Sequence, residues 1–225
     1  MALLEDKVKE QVKEVFKNLK EPVRLIVFTQ ESLLTIPDQD CKTCKDNRLL
    51  IEEVAGLSDK ISFEIYDFVK DKDKVEFYKV DKIPATLIIG QKDYGIRLYG
   101  LPAGYEFATL LNAIKLVSNG ESGLLNETRE KLKTLSKPIH IQVFVTLTCP
   151  YCPMAAETGY KMALESDLIK ADAINAQEFP ELAQKYSVLA VPKVVINETV
   201  QFEGALPEAE FLQKVLDASD QKVLS

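Results

Sequence analysis

The 225-residue sequence has one histidine, four cysteines and no long apolar run. With His140 as the only imidazole, histidine-dependent nucleophilic mechanisms are disfavoured. His140 lies in a β-prone run and reads as a strand or surface residue. No stretch approaches the roughly 18–20 apolar residues of a membrane-spanning helix, so no membrane partner is expected. Basic charge is not in excess. The formal net charge is −7, which argues against a nucleic-acid partner and reads as a solubility device. The opening MALLEDKVKEQVKEVF has no basic segment followed by an apolar core, so a cytoplasmic protein is expected rather than a secreted one. Four cysteines in a chain that is 28% charged do not make a disulfide-scaffolded mini-protein, and 46% hydrophobic residues suffice for an ordinary core.

The cysteines fall in two pairs, Cys41/Cys44 and Cys149/Cys152, within a chain that repeats itself. Pro22-Val-Arg-Leu-Ile-Val-Phe28 leads to Cys41-Lys-Thr-Cys44, and Pro138-Ile-His-Ile-Gln-Val-Phe144 leads to Cys149-Pro-Tyr-Cys152. Forty positions separate Cys44 from Pro84, and forty separate Cys152 from Pro192. Each proline follows a β-branched residue, Ile83 or Val191. Further on, Gly100-Leu-Pro-Ala-Gly-Tyr-Glu-Phe107 parallels Gly204-Ala-Leu-Pro-Glu-Ala-Glu-Phe211. The first half carries eight more residues between Phe and Cys and four more between Pro and Gly. Such differences fall where loops tolerate insertion. The pattern predicts a duplicated domain, 1–118 and 121–225, joined at the turn-rich Asn119-Gly-Glu-Ser-Gly123.

Periodicity predicts the same element order in each half: helix, strand, helix, strand, helix, a strand hairpin and a closing helix. The first half has helices near 3–19, 41–56, 71–79 and 104–118, strands at 23–28 and 61–66, and a hairpin over 86–99. The second has helices near 125–135, 150–165, 177–186 and 207–219, strands at 139–145 and 168–174, and a hairpin over 193–203. A strand–helix–strand crossover gives a parallel pair and the hairpin adds antiparallel strands. The expected fold class is α/β, with a four-stranded mixed sheet flanked by helices in each half.

Each C-x-x-C falls where a helix begins. Two cysteines three apart there can form or break a disulfide. The free N–H groups and partial positive charge of the first turn favour a thiolate on the first cysteine. Cys41 and Cys149 are therefore the expected nucleophiles, and Cys44 and Cys152 the resolving thiols. No tightly bound cofactor is needed, because the redox-active cysteine pairs carry the electrons.

The tetrapeptide Cys149-Pro-Tyr-Cys152 is similar to the active site of glutaredoxins. A helix-opening C-x-x-C, followed by a β-branched residue and proline before a hairpin, resembles the thioredoxin superfamily. Two such units in tandem resemble the protein disulfide oxidoreductases of hyperthermophiles, and a Lys/Glu-rich composition fits a thermophile. The resemblance implies two thioredoxin-like folds. It also implies cis peptide bonds at Pro84 and Pro192, with Ile83, Pro84, Val191, Pro192 and Tyr151 contacting substrate. Protein substrates with disulfides or dithiols follow as partners, along with a thioredoxin-reductase-like flavoprotein. The pattern departs from the superfamily in one respect. The buried acid often found on the strand before the first cysteine is replaced by Val27 and Val143, so the proton acceptor is unassigned. The sites are not expected to be equivalent. Lys42 favours the Cys41 thiolate while Asp40 and Asp46 oppose it, and Pro150, Tyr151 and Pro153 leave the second site stiffer and uncharged.

Other readings compete. A shared zinc site is disfavoured because 105 positions separate Cys44 from Cys149, so no metal is expected. Structural disulfides spanning two residues would stabilise little. An electron-transfer module for one partner, such as a peroxiredoxin, is the alternative function. The N-terminal portion of alkyl hydroperoxide reductase flavoproteins resembles that arrangement but typically keeps one C-x-x-C.

Overall fold

The computed structural model describes residues 3–30 and 41–220. The first half runs α1 (Asp6–Phe16), β1 (Val23–Thr29), α2 (Cys44–Ala55), β2 (Ile61–Asp67), α3 (Lys72–Tyr78), β3 (Ala85–Ile89), β4 (Ile96–Tyr99) and α4 (Tyr105–Asn119). The second repeats it as α5 (Asn126–Leu132), β5 (Ile139–Val145), α6 (Cys152–Glu165), β6 (Ile169–Asn175), α7 (Pro180–Lys185), β7 (Lys193–Ile196), β8 (Val200–Glu203) and α8 (Glu208–Asp220). The predicted elements are all present with shifted ends. The largest shifts of a start are at α1, α2 and α7, each of which begins three residues later than the periodicity suggests. The insertion expected before Cys41 falls largely outside the described residues.

The two expected sheets are one. The strand order is β2-β1-β3-β4-β6-β5-β7-β8, and β4 pairs in parallel with β6 from Ile96 opposite Ala171 to Tyr99 opposite Ile174. Each half contributes a mixed four-stranded unit, and the seam fuses them. The reason lies in β4. All four of its residues, Ile-Arg-Leu-Tyr, are buried, whereas its counterpart β8, Val-Gln-Phe-Glu, alternates towards solvent. A strand buried on both faces needs a neighbour, and β8 does not.

Alternate residues of β1 serve opposite faces. Val23, Leu25 and Val27 join a core with α1, α2, α4, α6 and α8, while Ile26 and Phe28 pack with the α3 and α7 side. At the centre of the first core α4 lies along α6, so helices of different halves meet there. On the other face the seam is polar. His140 Nε2 lies 2.6 Å from Asp172 Oδ2, with Lys170 Nζ 3.4 Å away. Burial acts to raise the Asp172 carboxyl, but His140 and the lysines hold it below the usual range. The single histidine is thus a seam residue.

Candidate functional site

The sheet pairings make β1, β4, β6 and β5 mutually parallel. The loops leaving the C-terminal ends of β1 and β5 carry the cysteines, so both motifs open at one end of the molecule. The motifs are four strand spacings apart, roughly 19 Å.

Each pair is bonded: Cys41 to Cys44 with Cα atoms 5.4 Å apart, and Cys149 to Cys152 with 5.5 Å. The second cysteine of each pair is the first residue of its helix, and the first cysteine lies just outside it. Cys44 and Cys152 are fully buried, Cys149 nearly so, and Cys41 is partly open. Neither N-cap residue, Thr43 or Tyr151, caps its helix with a side chain. In the second site the free Cys152 N–H instead donates to Cys149 Sγ at 3.1 Å. This is the donor that would stabilise a thiolate there.

The Ile83–Pro84 and Val191–Pro192 bonds are both cis. Register sets each proline beside its cysteine loop, because Ala85 pairs with Phe28 and Lys193 with Phe144. The carbonyls of both prolines accept from the following glycine of the repeat, Gly100 N–H at 3.0 Å and Gly204 N–H at 2.8 Å. Cys41, Ile83 and Pro84 line one groove of about 710 Å³, whose other wall is residues 177–182 of the second half. Around the second motif Tyr151, Met154 and Leu189 are exposed apolar side chains, Leu189 at 93%. Asp40, expected to influence Cys41, lies outside the described residues.

The sequence leaves the proton acceptor unassigned. Val27 and Val143 are buried and apolar, and a buried carboxyl of another element follows a residue bonded to the loop entering the second site. Glu106, in the first turn of α4, is 2% exposed, and no hydrogen bond of normal geometry reaches either carboxylate oxygen. Burial pushes its pKa up to about 7, against a smaller downward pull from the Thr109 hydroxyl. Its location is set by the loop entering the second site. Tyr105 N–H donates to Leu147 O at 2.9 Å, and the φ of +58° at Gly104 brings that backbone so close that a Cβ would stand 2.3 Å from the same oxygen. Glu106 also faces Tyr160 of α6 electrostatically. Its repeat counterpart, Glu210, is exposed. The first site has a neutral pair in place of a carboxyl: Asn47, one turn beyond Cys44 and fully buried, donates from Nδ2 to Thr86 Oγ1 at 3.3 Å. The second half has Ala155 and Val194 at those repeat positions.

Comparison with known proteins supports this geometry. Residues 139–217 match a thioredoxin domain family. The crystal structure of a protein disulfide oxidoreductase from Aeropyrum pernix superposes with a TM-score of 0.88 at 30% identity, covering 96% of this chain and 94% of that one. A thioredoxin from Methanocaldococcus jannaschii is 37% identical over 79 residues, covering 35% of this chain and 92% of that protein. The F component of alkyl hydroperoxide reductase from Pseudomonas aeruginosa is 24% identical over 215 residues, covering 95% of this chain and 37% of that protein. The chain thus spans little more than a third of that longer relative. With the fold, the paired disulfides and these relatives in hand, the chain belongs to the thioredoxin family of oxidoreductases, with two thioredoxin-like units in tandem.

Proposed function

We propose that this chain is a protein thiol–disulfide oxidoreductase with two working sites. One observation carries the reading: two C-x-x-C disulfides at helix starts, each beside a cis-proline, open at the same end of one sheet. In the reducing direction the Cys149 thiolate attacks a substrate disulfide. A mixed disulfide forms, and one substrate sulfur leaves as a thiolate. Cys152 then gives up its proton and attacks Cys149 Sγ, which frees the second substrate sulfur and closes the Cys149–Cys152 bond. Two electrons pass to the substrate. Glu106, held near neutrality by burial, is the group suited to take the Cys152 proton and later return it. Cys41 and Cys44 act in the same order, with the neutral Asn47–Thr86 pair in place of a buried carboxyl. Ile83 and Val191 offer backbone to a substrate strand beside Pro84 and Pro192, and Tyr151 offers an aromatic face. Run backwards, the same steps oxidise or rearrange substrate dithiols.

The cysteine pairs are the electron carriers and require no tightly bound cofactor. A flavoprotein reductase acting in the cytoplasm would keep them reduced. No helix among the described residues is long and apolar enough to cross a membrane. A second reading, electron delivery to one dedicated partner such as a peroxiredoxin, draws support from the alkyl hydroperoxide reductase relatives. Two intact pairs favour the broader one. Insulin reduction by dithiothreitol, measured for wild type, Cys41→Ser and Cys149→Ser, tests the proposal. Loss in each variant is expected, and full activity in both would falsify it. Turnover with a peroxiredoxin but not with insulin would favour the dedicated module.

A further inference from the structure

The first redox site is not built by the first half alone. Glu178, in the loop between β6 and α7, reaches across the seam. Its Oε1 accepts from Leu101 N–H at 2.8 Å and from Asn175 Nδ2 at 2.7 Å. Its Oε2 accepts from the hydroxyl of Thr43, inside the Cys41-Lys-Thr-Cys44 motif. Gly100 makes the approach possible. Its φ is +101°, and a Cβ there would stand 2.7 Å from Asn175 Cβ and 2.8 Å from Glu178 Oε1. Thr43 is the N-cap of α2, a position where a threonine hydroxyl ordinarily accepts a helix N–H. Here the hydroxyl donates to Glu178, and it does not cap the start of α2.

We infer that Glu178 is a positioning residue for the first site: it fixes Thr43 between the two cysteines and sets a negative charge beside Cys41, lowering that thiol's acidity relative to what the helix start alone would give. This inference rests on the exchange function proposed above. The charged groups facing Cys41 across the shared groove are Lys42, Asp81, Lys82, Glu178 and Glu181. Lys82 is paired with Asp81 at 2.6 Å, and Glu178 is the group bonded to the motif itself. The second site has no equivalent, since the residue at the repeat position of Thr43 is Tyr151, which has no hydroxyl near its backbone and stands exposed. The two halves therefore supply their equally spaced cysteines with different electrostatic settings.

The test uses the full chain with Cys149→Ser and Cys152→Ser, reduced, and follows alkylation of Cys41 by iodoacetamide against pH. Glu178→Gln keeps the shape and the Leu101 bond but removes the charge. The alkylation midpoint should fall by on the order of half a pH unit, the effect of losing a partly screened like charge. Thr43→Val leaves the charge without its hydroxyl donor and should raise the midpoint, whereas Thr43→Ser should keep the wild-type value. Thr43→Val combined with Glu178→Gln should match Glu178→Gln alone, because both act through one contact. A Glu178→Gln midpoint equal to wild type, or single shifts that simply add, overturns the inference while leaving the exchange function intact. A wild-type first site that turns over no disulfide overturns the function and this inference with it.

Discussion

Replacing Glu106 with glutamine should make the protein gain stability over wild type as the solution passes from acid to alkaline. The folded carboxyl keeps its proton until about pH 7, while the unfolded chain releases it near 4.5. Between those values the folded state binds more protons, so stability falls as pH rises. Above about 7 the loss is complete. The gap of about 2.5 units, at about 1.4 kcal/mol each, amounts to roughly 3 kcal/mol. Glu106→Gln does not titrate and escapes that loss. Its own buried amide has a cost, but that cost does not vary with pH, so the difference between two pH values isolates the carboxyl. Urea unfolding of the oxidised proteins at about pH 4.5 and about pH 8 should show the variant gaining roughly 3 kcal/mol over wild type between them. In melting temperature the gain is on the order of 8 °C for a chain of this size. A wild type and variant whose separation is the same at both pH values would refute the burial argument.

Four other outcomes follow from the same geometry. Exchange at the second site should show an inflection near pH 7 that disappears in Glu106→Gln, and a Cys149→Ser variant working through its first site alone should lack it. Gly104→Ala, which drives a Cβ against Leu147 O, should cost at least about 2 kcal/mol and slow the second site more than the first, as read by melting and insulin assays. Asn47→Ala strands the buried Thr86 hydroxyl and should destabilise by roughly 1–3 kcal/mol in denaturant titration, with the loss of rate confined to the first site. Because the motifs lie roughly 19 Å apart, electrons should not pass directly between the pairs within one molecule. Acid-quenched samples in which one pair is reduced should equilibrate at a rate proportional to protein concentration, and a concentration-independent rate would contradict this.

The repeat makes much of this architecture legible. Equal spacing from Cys44 to Pro84 and from Cys152 to Pro192 points to both cis bonds, because a spacing held through unequal loops is set by packing. Helix ends are less legible. The periodicity extends α2 back to Cys41, but the chain turns helical only at Cys44, where the backbone leaves the loop. The joining of the halves is hidden, since strand pairing depends on partners remote in sequence, and only Tyr99, where edge strand β8 has Glu203, hints that β4 is no edge. Glu106 is hidden for a related reason. Glutamate stands at the same repeat position in both halves, buried at 106 and exposed at 210, because α4 packs against α6 of the other half. The bond from Glu178 to Thr43 crosses 135 positions, beyond the reach of any local pattern.

The shared sheet also has a consequence for anyone wishing to dissect the molecule. Cutting the chain at Gly120 would strip β4 of β6 and leave a strand with free backbone donors and acceptors facing water, together with the bared flank of α4. The amino-terminal fragment would then be a template for self-association, and it would lose the Glu178 carboxylate from its own cysteine loop. The two redox units are inherited as copies, yet neither is a detachable part.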